Sequence, residues 1–252
     1  MRNLIGFITA LALVLSLFTV EEGRTSTFNV SPLKILLSGK SSSALLEITN
    51  QSDEPLRLQL SVSSWDQSPA GEMVLEATED IVLFPSLITV EAGEKRKVRL
   101  GTVGPRSISE KSYRIIVEEL PPLKLNPSDG SQIRVLTRMT IPVFLEPVKA
   151  VSSGQITDLT MQHETVFFEI RNTGNTHFSA QHIQLVGVGT DGQPITTRDI
   201  EGWYILAGGS RRYQARLSAE DCRSLKTITV EAQTDAGPLT AHADVQVEGC
   251  GH

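Results

Sequence analysis

The sequence predicts an all-β protein made of two β-sandwiches in tandem, and three observations carry that prediction. Short segments of alternating or β-branched character recur through the first half, with turn residues between them. The second half repeats two elements of the first half in the same order. No stretch sustains a helical apolar period over three turns.

Taken in order, the predicted strands are Phe28–Leu36, Ala44–Thr49, Leu56–Ser63, Ser86–Val90, Lys95–Leu100, Tyr113–Glu119 and Ile133–Leu145. Turn residues separate them, as in Ser52-Asp53-Glu54-Pro55, Ser68-Pro69-Ala70-Gly71 and Ala92-Gly93-Glu94. This density of short strands is that of a sandwich. The last strand is unusual. Ile133, Val135, Met139, Ile141, Val143 and Leu145 share one face, which makes it far longer than the ~5–6 residues of an ordinary strand. A long strand with an apolar face is either core or a surface meant to pair with another chain.

The repeat matches Leu45-Leu46-Glu47-Ile48-Thr49-Asn50 with Phe167-Phe168-Glu169-Ile170-Arg171-Asn172. Further on, Ala92-Gly93-Glu94-Lys95-Arg96-Lys97 is echoed by Ala207-Gly208-Gly209-Ser210-Arg211-Arg212. Proline at Pro147 ends the long strand, so the domains are expected at 27–147 and 148–252. The loop Pro121–Ser131, with its prolines and Asp129-Gly130, reads as mobile.

Residues 1–26 read as a secretory signal peptide, with an apolar run Leu4–Val20 behind Arg2 and no clear cleavage site. A membrane anchor is the competing reading, but spanning usually needs about twenty residues. Export implies an oxidising compartment, where Cys222 and Cys250 are expected to form a disulfide; two free thiols are the alternative. A formal net charge of −6 without a basic stripe excludes a strong nucleic-acid footprint.

Catalytic patterns are scarce. Gly187–Gly192 matches a dinucleotide fingerprint, but Asp191-Gly192-Gln193-Pro194 closes it and no helix follows, so it reads as a hairpin turn. His177 and His182 fall on opposite faces of a strand, which suits surface or half-buried side chains and not a metal pair. No nucleophile elbow occurs, and Cys222 has no adjacent histidine. Neither enzyme activity, metal nor cofactor is expected. Asn50 and Asn172 are expected to cap turns, Trp65 and Trp203 to fill core space, and Lys95-Arg96-Lys97 to be a solvated edge.

An ordered set of blocks resembles the PapD-like periplasmic pilus-assembly chaperones. Phe28-x-Val30-Ser31-Pro32-x-Lys34 opens it, followed by Asn50, Pro55, Trp65, Phe84-Pro85, Ala92-Gly93-Glu94 and Val98-Arg99-Leu100. Tyr113-Arg114, Glu119-Leu120-Pro121-Pro122 and Ile141-Pro142-Val143-Phe144-Leu145-Glu146-Pro147 complete it. The resemblance implies two immunoglobulin-like domains that hold pilin-like subunits in the periplasm and pass them to an outer-membrane usher. No nucleic acid or small-molecule substrate is implied.

Such chaperones lend their long strand to a subunit that lacks one. By position the donated residues are Ile133, Val135, Thr137 and Met139, with Thr137 smaller and more polar than is usual in the family. The resemblance also implies two basic residues that anchor the subunit's C-terminal carboxylate. Lys34 holds the first place, usually an arginine, and Pro142 stands where the second cation is expected. Arg138 lies four residues away, roughly 13 Å, too far to substitute directly. Glu146 reverses the charge of an arginine that joins the two domains in better-studied members. These departures mark a divergent branch. The alternative is a non-enzymatic immunoglobulin-like adhesion or scaffold protein of the cell envelope that keeps the fold without strand donation.

Overall fold

Proline corners decide how the chain is shared between sheets. In the computed structural model, which describes residues 27–123 and 135–245, the predicted first strand is two strands, β1 (Phe28–Ser31) and β2 (Ile35–Leu37). Pro32 lies between them, and β1 and β2 join opposite sheets. β3 (Ser43–Asn50) and β4 (Leu56–Gln67) follow. Next come β5 (Met73–Ala77) and β6 (Ile81–Phe84), which the sequence reading missed. A second proline corner at Phe84-Pro85 moves the chain from β6 to β7 (Leu87–Val90) in the other sheet. β8 (Lys95–Thr102), β9 (Lys111–Glu119) and β10 (Arg138–Leu145) finish the first sandwich.

One sheet runs β1-β3-β8-β6 and the other β2-β10-β9-β4-β5, with β7 also on β4. Between them, alternate residues of each strand form one apolar core, including Leu46, Ile48, Leu58, Val98, Leu100, Tyr113, Ile115, Ile141 and Val143. Burying each large aliphatic there contributes about 1.5–3 kcal/mol before entropy costs.

The second sandwich contains β11 (Gly154–Gln162), β12 (Thr165–Asn172), β13 (Phe178–Gly189), β14 (Pro194–Glu201), β15 (Tyr204–Ile205) and β16 (Ser210–Arg216). A short helix α1 (Ala219–Ser224), capped by Ser218, precedes β17 (Leu225–Thr234) and β18 (Leu239–Asp244). Its sheets run β11-β12-β16 and β14-β13-β17-β18, with β15 on β13. Gly187–Gly192 runs from the end of β13 into the turn to β14, which is closed by the Gly189 N–H donating to Gln193 O, with Gly192 at φ 78°.

The internal repeat holds at the level of single hydrogen bonds. β3 pairs with β8, and β12 pairs with β16. Asn50 Nδ2 donates to the carbonyls of Glu54 (2.8 Å) and Val90 (2.9 Å), while its Oδ1 accepts from Ser52 N. Asn172 Nδ2 does the same to Thr176 and Ile205, and its Oδ1 accepts from Gly174 N. Both asparagines are buried, so each satisfies main-chain groups that water cannot reach. Asn50→Ala is expected to cost about 2–4 kcal/mol, measured as a loss of chemical-denaturation stability, because the Val90 carbonyl is left buried without its donor.

A second polar bolt joins β9 to the β5–β6 turn. The Tyr113 hydroxyl and Lys111 Nζ both donate to Asp80 Oδ2, at 2.7 and 2.9 Å. The bond from Lys111, then that from Tyr113, holds the Asp80 carboxyl below its ordinary range. Burial and the same carboxylate push the Tyr113 phenol up. A lowered folded-state value means Asp80 stabilises the fold fully above about pH 4 and loses that contribution as pH falls through the folded value. Asp80→Asn should therefore flatten the acid limb of a stability–pH profile below about pH 4. A limb of unchanged slope would show that Asp80 contributes nothing to it.

Candidate functional site

The strand predicted over Ile133–Leu145 is shorter than expected: β10 begins at Arg138 and has eight residues, with Val135 an isolated bridge ahead of it and Leu136 and Thr137 outside any strand. Its inner face, Ile141, Val143 and Leu145, is buried in the first sandwich, and Met139 packs at the edge of that core. Toward the N-terminus, Thr137 is half-buried and Val135 is 57% exposed. Ile133 lies outside the described residues. Of the four residues predicted for donation, Val135 and Thr137 extend past the core, whereas Met139 is shared with it.

The edge of β10 is open where this matters. β9 pairs with all of Arg138–Leu145, but β2 covers the other side only at Val143–Leu145. The Glu119 N–H donates to Thr137 O and the Glu146 N–H donates to Leu37 O. By alternation, odd-numbered residues of β10 bond toward β9 and even-numbered ones face the outer edge. Within β10 the outward donors are thus Arg138 and Thr140, with Leu136 two residues ahead of Arg138, just before the strand. Pro142 falls on the same side, so its missing N–H costs no bond to β9.

Lys34 is exposed and stands one residue before the Ile35–Val143 pair, level with Pro142. On the other side of β10, Pro142 is directly opposite Arg114 of β9, which is directly opposite Ser63 of β4. Arg114 is 3% exposed, and its guanidinium lies 3.7 Å from the Trp65 ring centre and 6.0 Å from that of Tyr204. Its Nε and Nη2 have no hydrogen-bond partner among the described residues. Burial pushes it down to about 10. Sequence reasoning missed Arg114; the available signal was a single cation inside the apolar run of β9. Arg138 is taken up by Glu118, at 3.0 Å across the strand pair.

The sandwiches meet around the other end of β10. Phe144 stacks on His177 with centroids 3.5 Å apart and planes 8° apart, and it packs with Trp65 and Leu206. The His177 N–H and ring Nδ1 both donate to Glu110 Oε1, at 2.9 and 2.7 Å. Asn175 Nδ2 donates to the carbonyls of Ile108 and Lys149. His177 is half-buried, within the range expected, and its cover comes from the other sandwich. Trp203 departs from expectation at 44% exposed, while Trp65 is buried. Among the described residues the Glu146 side chain forms no interdomain bridge. The Glu146 carbonyl accepts from Arg106 Nε at 3.2 Å, and the Pro147 carbonyl accepts from Arg106 Nη2. Arg106 holds the linker in place of the residue at 146.

Cys222 is fully buried in α1 and disulfide-bonded. Cys250 lies outside the described residues. Among the described residues no group of His, Cys, Asp or Glu is placed to hold a metal ion, and no helix is long and apolar enough to cross a membrane.

The family described as "Pili and flagellar-assembly chaperone, PapD N-terminal domain" matches residues 27–150. The chain belongs to this family of pilus-assembly chaperones. The probable fimbrial chaperone EcpE of Escherichia coli O18:K1:H7 is 23% identical over 185 residues, 73% of this chain and 74% of that protein. Among solved structures, the class 5 fimbriae chaperone CfaA matches with a TM-score of 0.56 at 14% identity, covering 87% of this chain and 100% of that one. The CsuC–CsuE chaperone–tip adhesion subunit complex of Acinetobacter baumannii Csu pili matches at 0.54 and 18%, covering 86% and 97%. These likenesses show the shared two-domain, immunoglobulin-like fold of pilus chaperones.

Proposed function

We propose that this chaperone works in the periplasm, holding a pilin-like subunit by adding its long strand to the subunit's incomplete sheet and passing it to an outer-membrane usher. The observation that supports this reading is the open outer edge of β10 at Arg138–Thr140, with Val135 exposed just ahead of it. Such an edge supplies main-chain bonds for affinity and alternate side chains for fit. Ile133, Val135 and Thr137 are the donated residues in this reading, with Met139 at the junction to the core. Lys34 is an anchor for the subunit's carboxylate. Residues 1–26 direct export, and in the oxidising compartment Cys222 pairs with Cys250. The reading assigns no catalytic step to the protein.

Tagged protein recovered from the native periplasm should carry a small β-rich subunit in roughly equimolar amount, identified by mass spectrometry. Recovery of the protein alone, from cells shown to be making pili, would favour the scaffold reading.

A further inference from the structure

Trp203 is a large aromatic residue that the fold does not consume. It is 44% exposed and, among the described residues, packs into neither apolar core, although its neighbour Tyr204 is packed in the seam between the sandwiches. A surface tryptophan alone needs no explanation. This one is rigidly mounted. The Ala180 N–H donates to Trp203 O at 3.0 Å, and the backbone at Gly202 runs so close to β13 that a Cβ there would fall 1.8 Å from Ala180 O. Only glycine fits at 202, so the loop is drawn tight against the sheet. The Trp203 ring stands edge-on to Tyr204 with centroids 5.9 Å apart, and Tyr204 in turn stands edge-on to Trp65 at 5.8 Å. A ring braced in this way has little freedom to lose when something packs on it.

Its place in the fold relates it to β10. Trp65 and Phe144 lie on the outer face of the sheet that carries β10, and there they meet Tyr204 and Leu206 of the second sandwich. Next along that face comes the row Ser63, Arg114, Pro142, and then the row Ser61, Ile116, Thr140. The serines and Thr140 are small, so a body lying on this face can approach the sheet closely. Thr140 also belongs to the open edge of β10. One wall of this space is therefore the first sandwich's sheet, and Trp203 stands on the second sandwich at the end where the two meet.

We infer that Trp203 is the second sandwich's anchor for the subunit held on β10, packing its indole face on an apolar patch of the subunit's flank. Strand addition bonds to main chain and discriminates little between incomplete sheets, whereas a fixed tryptophan takes an aliphatic or aromatic patch and rejects a solvated charge. Trp203 thus sets which subunits are held longest. This inference rests on the strand-addition reading above.

The test uses the full chain, free and as the complex recovered from the periplasm. Hydroxyl-radical oxidation, read peptide by peptide by mass spectrometry, should fall at Trp203 when the subunit is bound. Phe84, 76% exposed on β6 of the opposite sheet, should keep its rate. This reading needs no variant. Challenged with excess untagged protein, the complex of Trp203→Ala should lose its subunit at least about tenfold faster than the unsubstituted complex, the effect of removing a tryptophan anchor, and Trp203→Phe should fall between. Oxidation of Trp203 at the free rate in the complex, or a Trp203→Ala complex as long-lived as the unsubstituted one, would overturn the assignment and leave strand addition standing. Recovery of no subunit with the unsubstituted protein would overturn strand addition, and this inference with it.

Discussion

Thr140→Pro is expected to weaken subunit capture about 10- to 100-fold while leaving the first sandwich folded. Thr140 pairs with Ile116 across β9, but alternation turns its N–H to the outer edge, as it does at Pro142 two residues on. The chain already accepts proline on this side of the strand. The substitution removes one outward donor and puts a ring against the incoming strand. Loss of one or two ladder bonds predicts about a 10- to 100-fold weaker complex. Met139→Pro is the contrasting case: its N–H faces β9, so that variant should lose stability as well as binding. Equal recovery of subunit by Thr140→Pro and by the unsubstituted protein would show that the edge is not used.

The second large effect concerns how the two sandwiches are held. Glu110→Ala removes the acceptor of both bonds from His177, whose side chain is 9% exposed and stacked on Phe144. Breaking one partner of such a buried polar pair typically costs about 3–5 kcal/mol. Here most of that cost falls on the interface, since neither apolar core contains either residue. Calorimetry should therefore show a single unfolding transition splitting into two, one for each sandwich. Glu110→Gln, which keeps one acceptor, should fall between. A single transition merely shifted downward would mean that the sandwiches are coupled through Arg106 and Asn175 without this pair.

Local rules made the strands, the repeat and the hairpin at Gly187–Gly192 legible in the sequence, because period-2 alternation and turn residues act within a few positions. The two capping asparagines were legible for the same reason, each binding a turn two to four residues away. β5 and β6 were not, because Met73–Ala77 is largely exposed and Ile81–Phe84 has a single buried residue, so neither shows a clean apolar face. The site was harder. Lys34, the proposed anchor, and the strand proposed for donation were singled out by their order along the chain. The burial of Arg114 against Trp65 and across from Pro142 was not legible, since strand register is a property of the folded sheet. The partners of His177 were hidden on the same ground: nothing local says that Glu110 and Phe144 of the other sandwich will meet it.

The central claim, that even-numbered residues of β10 receive the subunit, is tested most directly by amide hydrogen exchange read residue by residue, for the free protein and for the complex recovered from the periplasm. In the free protein, Met139 and Ile141 should already be protected by β9, while Leu136, Arg138 and Thr140 exchange quickly. In the complex, those three amides should become protected and the alternation should disappear. Amides at Leu136, Arg138 and Thr140 that exchange as fast in the complex as in the free protein would contradict strand donation.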